Sequence, residues 1–101
     1  MHTDKEAKRD VRRMHAFFSG SVQGVGFRYT AVTRAESYPL TGWVRNLYDG
    51  RVELVAEGSV ADLEEYLARL KDDMAGYVRD VEINWEAATG QYGGFNVALT
   101  E

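Results

Sequence analysis

The chain has 101 residues, 45% apolar and 28% charged, with 10 glycines, one proline, no cysteine and a formal net charge of −4. This is the size and make-up of one globular domain with one core, not of a disordered or fibrous chain. The missing cysteines exclude disulfide frameworks, thiolate nucleophiles and Cys-based metal sites, His2 and His15 are too few for a His-rich zinc set, and no apolar run nears the roughly 18 residues of a membrane span.

Residues 1–13 hold Lys5, Lys8, Arg9, Arg12 and Arg13 against Asp4, Glu6 and Asp10, a local excess of plus two. They read as a charged, solvated tail ahead of a domain over residues 14–101. No apolar stretch follows the basic residues, so a secretory signal is not expected and the chain reads as cytoplasmic. Setting the tail's plus two apart from the chain's −4 leaves minus six on the domain. That balance argues against broad electrostatic binding to DNA or RNA, and no membrane partner is expected.

Met14 to Gly20 alternates and ends in glycine, which predicts a first strand. A glycine loop follows directly. From Phe27 the spacing changes to helical, with Phe27, Ala31, Arg34 or Ala35, and Tyr38 on one face, and Pro39 ends a helix of about ten residues. Gly42–Leu47 predicts a second strand, and Asp49-Gly50 a hairpin into a third over Arg51–Glu57, where Val52, Leu54 and Ala56 share a face. Ser59 with Asp62 resembles a capping box, and Leu63, Leu67, Leu70 and Met74 form the apolar stripe of a second helix over about 60–73. Val81, Ile83 and Trp85 mark a fourth strand, Thr89–Gly94 a glycine-rich loop, and Phe95, Val97 and Leu99 a short fifth strand. The order is βαββαβ, the split βαβ or ferredoxin-like arrangement of the α+β class. It predicts an antiparallel sheet with both helices on one face and a short final strand at an edge.

The stretch Gly20-Ser-Val-Gln-Gly-Val-Gly-Phe-Arg28 places two glycines and a permanent cation where a strand hands over to a helix. Glycine lets backbone N–H groups approach a ligand, a helix N-terminus adds partial positive charge, and the Arg28 fork fits two oxyanion oxygens. The target is a phosphate or a carboxylate. Tyr29 breaks a dinucleotide fingerprint and no G-x-x-x-x-G-K-[ST] is present, so neither nucleotide loop applies. Taken alone, the loop is equally compatible with a plain turn carrying an exposed arginine. A second candidate is Gly42-Trp-Val-Arg-Asn46, because asparagine is poorly suited to strands. On spacing alone Asn46 fits a turn residue better than a functional one, with Trp43 and Arg45 on the opposite face.

Together, Val22-Gln-Gly-Val-Gly-Phe-Arg28 and Gly42-Trp-Val-Arg-Asn46, with Asp49-Gly-Arg-Val52 and Ala56-Glu-Gly58 following, resemble the acylphosphatase family from about Met14 to Leu99. The resemblance implies hydrolysis of the carboxyl–phosphate bond of a small acyl phosphate. It implies that Arg28 and the backbone N–H groups of Gln23, Gly24, Val25, Gly26 and Phe27 bind the phosphate, and that Asn46 positions the attacking water. Asparagine offers both a donor and an acceptor and does not titrate, which suits that task. No metal or cofactor is implied, and the small size favours a monomer. A different reading is a non-catalytic small-molecule-binding or regulatory module on the same scaffold. It has no need of both Arg28 and Asn46. RNA recognition would want stacking aromatics on the central strands, and Arg51–Glu57 has none.

Overall fold

Two strands with alternating burial, a third buried on both faces and two helices with one apolar face each account for most of the architecture, seen here in a computed structural model that describes residues 10–101. In chain order the elements are β1 (Val11–Gly20), α1 (Phe27–Ala35), β2 (Thr41–Asn46), β3 (Val52–Ser59), α2 (Val60–Asp73), β4 (Val78–Ala87) and β5 (Phe95–Val97). They form one sheet in the order β4-β1-β3-β2-β5. The first four strands pair antiparallel, as the βαββαβ order predicts. The fifth departs from that expectation and runs parallel to β2. The long Ala88–Gly94 connection carries the chain from β4 at one edge across to the other, where it enters beside β2 in the same direction.

β1 begins at Val11 and not at Met14. Residues 11–13, expected as tail, are therefore part of the sheet, and residues 1–9 of the expected tail lie outside the described residues. The charges of the segment concealed this, because the Arg13 guanidinium does not face water: its Nε donates to Glu57 at 3.0 Å and its Nη2 to the Tyr92 hydroxyl at 3.0 Å. Met14, Ala16 and Phe18 are fully buried and alternate with half-buried His15, Phe17 and Ser19, the period-2 pattern of a sheet covered on one side.

Both helices cover that side. α1 buries Phe27, Ala31 and Ala35, and then tightens into turns through Tyr38, with Glu36, Ser37 and Tyr38 N–H groups donating three residues back. α2 starts where its cap places it, with Ser59 Oγ accepting from Asp62 N–H at 3.1 Å. It buries Leu63, Tyr66 and Leu70, while Leu67 is only partly covered. Tyr66 supersedes Leu67 because its ring fills the space between the helices and its hydroxyl donates to Ala31 O at 2.8 Å, leaving no buried donor without a partner.

β3 lies at the centre of the sheet and is buried on both faces. Its open-face side includes two carboxylates, Glu53 and Glu57, which are 7% and 4% exposed. Gly42 of β2 lies tight against it, with φ +151°, and a Cβ there would strike the Val55 carbonyl. No residue but glycine fits that crossing. Among the described residues, no helix is long and apolar enough to cross a membrane.

Candidate active site

The loop between β1 and α1 is shaped by glycines in the left-handed region. Gly24 has φ +77° and Gly26 φ +80°, and a Cβ at either would meet nothing within 4 Å. Their role is therefore conformational, and the space in front of them stays open. Gly26 is the N-cap of α1 and supplies no side-chain acceptor, the first turn holds no acidic residue, and the first helical bond is Thr30 N–H to Gly26 O at 3.0 Å. The leading N–H groups of the helix thus have no intrahelical acceptor, and the positive end of the dipole is uncompensated by the chain itself. That arrangement suits an anion.

Arg28 sits at this same end, half-buried, on the second residue of α1. Arg12, Arg13, Arg34, Arg45, Arg51, Arg69 and Arg79 each have a carboxylate within 4.0 Å. Arg28 is the exception among the described arginines. A cation left unpaired in a protein rich in carboxylates keeps its full attraction for an incoming anion.

Asn46 is the last residue of β2 and pairs with Val52 across the hairpin. Its carbonyl accepts from Glu101 N–H at 3.1 Å, so its backbone is held by both neighbours. Its side chain falls on the helix-facing side of the sheet, opposite to Trp43 and Arg45, whose guanidinium stacks 4.7 Å from the Trp43 ring centroid. One cavity of about 540 Å³ is lined by Gly24, Gly26, Phe27, Arg28 and Asn46 together, along with Val22, Tyr29, Val32 and residues 95–97 of β5. The two sequence candidates, 18 residues apart in the chain, thus face one space.

Gln23 and Val25, also expected at the phosphate loop through their backbone, are not among the lining residues. Val25 packs on the core. The Gln23 side chain has a task that its sequence position did not reveal: Nε2 donates to Leu47 O at 2.7 Å and to Arg51 O at 2.9 Å. It bolts the glycine loop to the hairpin immediately after Asn46. The β5 contribution was likewise missed, since nothing local in Phe95–Val97 says that this strand ends beside β2.

Comparison with known proteins places the family. The sequence profile described as Acylphosphatase matches residues 14–97. The chain belongs to the acylphosphatase family. It is 48% identical over 83 residues to an acylphosphatase of Trichormus variabilis, covering 80% of this chain and 81% of that one. It is 40% identical over 89 residues to an acylphosphatase of Roseiflexus sp., covering 87% and 96%. The crystal structure of acylphosphatase from Bacillus subtilis superposes with a TM-score of 0.80 at 32% identity, over 86% of this chain and 98% of that one. The protein is accordingly an acyl-phosphate hydrolase whose substrate is a small acyl phosphate, and the non-catalytic module is not favoured.

The charged network on the open face of the sheet is separate from this cavity. Burial pushes the Glu53 carboxyl up, but hydrogen bonds from His15 Nε2 at 2.6 Å and Arg45 Nε at 2.8 Å outweigh it and hold Glu53 below the usual carboxylate range. Glu57 is likewise pushed up by burial and more than returned by the N–H groups of Gly90 and Thr89, the Thr89 hydroxyl and Arg13. These contacts tie β1, β2, β3 and the loop before β5 into one sheet. Among the described residues no cluster of His, Asp or Glu is placed to hold a metal ion.

Proposed function

We propose that Arg28 and the loop amides from Gln23 to Phe27 bind the phosphate of the acyl phosphate, and that Asn46 orients the water that attacks it. The observation that carries this reading is the common cavity of Gly24, Gly26, Arg28 and Asn46. The water oxygen forms a bond to phosphorus in line with the acyl oxygen. The phosphorus–oxygen bond to the acyl group breaks with its electron pair, releasing a carboxylate. The water's proton passes to a phosphate oxygen, so no titrating protein base is needed. A carboxylate is a stable leaving group, and positioning plus charge stabilisation are the main demands on the protein. Arg28 and the α1 N-terminus answer the second demand and Asn46 the first.

Hydrolysis of benzoyl phosphate by the wild type, Arg28→Ala and Asn46→Ala tests the assignment. Arg28 offers two charge-assisted bonds of about 1.5–3 kcal/mol each, so its loss lowers kcat/KM by about 10²–10⁴-fold. Asn46→Ala lowers kcat more than it raises KM, because a misplaced water does not weaken phosphate binding. Unchanged rates in both variants overturn the assignment. A monomeric, cytoplasmic enzyme completes the proposal, and light scattering with cell fractionation checks both parts.

A further inference from the structure

The cavity is larger than a phosphate group needs, and beyond the cradle its walls are apolar except for the uncharged amide of Asn96. At about 540 Å³ it lies within the ~300–1,000 Å³ typical of pockets for drug-sized ligands. On the helix side Tyr29 and Val32, three residues apart on α1, share a face. On the sheet side Phe95 and Val97 are in register with Gly42 and Val44. That register turns both towards α1, on the same side as Asn46. Tyr29 is 75% exposed and Val97 51%, so both leave side-chain surface open to solvent along this cavity. Arg28 is the sole charged residue of the lining.

Resting on the catalytic reading above, we infer that Tyr29, Val32, Phe95 and Val97 form the subsite for the acyl group. The subsite selects neutral, apolar acyl groups, aromatic or branched, over acyl groups bearing a second carboxylate or phosphate. With the phosphate held by Arg28 and the loop, the acyl group must leave the cradle towards this wall, and it covers the exposed faces of Tyr29 and Val97. Apolar contact there is favourable in proportion to the area removed from water. A second anion on the acyl group would lose water at the same wall and find no cation, since Arg28 is already engaged.

The test measures kcat/KM for acetyl, benzoyl and succinyl phosphate with the wild type, Tyr29→Ser and Val97→Lys, each checked for native unfolding behaviour. Comparing each variant's substrate ratios with the wild type's cancels the intrinsic reactivity of the three compounds. The benzoyl-to-acetyl ratio is expected to fall about tenfold in both variants, in line with the effect of one apolar contact on discrimination. In Val97→Lys the succinyl-to-acetyl ratio rises several-fold, because the new ammonium meets the second carboxylate. Ratios within twofold of the wild type in both variants overturn the subsite while leaving the hydrolytic site intact. Failure of the wild type to hydrolyse any of the three overturns the catalytic reading and the subsite with it.

Discussion

Gln23 is where loop geometry and catalysis can be separated from simple packing. Its amide donates two hydrogen bonds, 2.7 Å to Leu47 O and 2.9 Å to Arg51 O, across the gap between the glycine loop and the hairpin that carries Asn46. Each acceptor also has a backbone partner, Gly50 N–H at 3.1 Å on Leu47 O and Leu47 N–H at 2.8 Å on Arg51 O. Removing Gln23 therefore orphans neither carbonyl, and the loss lies at the low end of the range for two neutral bonds, about 1–2 kcal/mol. If the loop must be held against Asn46 for the transition state to form, that loss appears as about 5–30-fold in kcat/KM for Gln23→Ala. Gln23→Glu keeps the shape but replaces two donors by a carboxylate facing two carbonyl oxygens, beside the cradle proposed to hold the phosphate. It is expected to be worse than Gln23→Ala at pH 7, with a raised inhibition constant for inorganic phosphate. The assay is benzoyl phosphate hydrolysis with phosphate as competitor. A near-normal Gln23→Glu alongside a damaged Gln23→Ala would mean that the side chain merely fills space, and would refute the clamp.

Three further outcomes are expected. Gly42→Ala puts a methyl group onto the Val55 carbonyl and against the Ala56 Cα, β3 backbone that cannot move away without breaking its ladder with β2. A loss of at least about 3 kcal/mol in urea unfolding is expected, and a native midpoint would show that the two strands can separate. Glu57→Gln removes a nearly buried charge that accepts from Arg13, Thr89 and Gly90, at a cost of about 2–4 kcal/mol at pH 7. Because the folded carboxyl lies below its unfolded value near ~4.3, its stabilisation is present above that pH and is lost as pH falls through the folded value. The gap between wild type and variant thus closes in acid, and a gap independent of pH would refute the assignment to the charge. Finally, prolonged chelation with EDTA should leave benzoyl phosphate hydrolysis unchanged, and its abolition with recovery on adding a divalent cation would overturn the metal-free scheme.

Local order was largely readable from the chain. Ser59 with Asp62 and the apolar stripe to Met74 placed α2 over its whole length, because capping and helical periodicity are properties of neighbouring residues. The glycine pair, Arg28 and Asn46 were nameable from residue type and local position: glycines where the chain turns left-handed, a cation at a helix start, and an asparagine at a strand end. What one dimension could not supply was pairing at a distance. Arg13 looks like tail until Glu57, 44 positions on, takes its charge into the sheet. Phe95–Val97 looks like an ordinary edge strand until its parallel register with β2 turns Val97 towards Arg28's cavity. Gln23 looks like a loop spacer until the hairpin carbonyls come within reach. The sequence by itself determined the order of the elements and singled out the residues expected at an oxyanion site. The tertiary structure decided that Arg28 is the one described arginine with no carboxylate beside it, that Asn46 shares its cavity, and that Tyr29, Val32, Phe95 and Val97 line the same space. Charge pairing and cavity shape are sums over residues far apart in the chain, and they exist only once the sheet order is set.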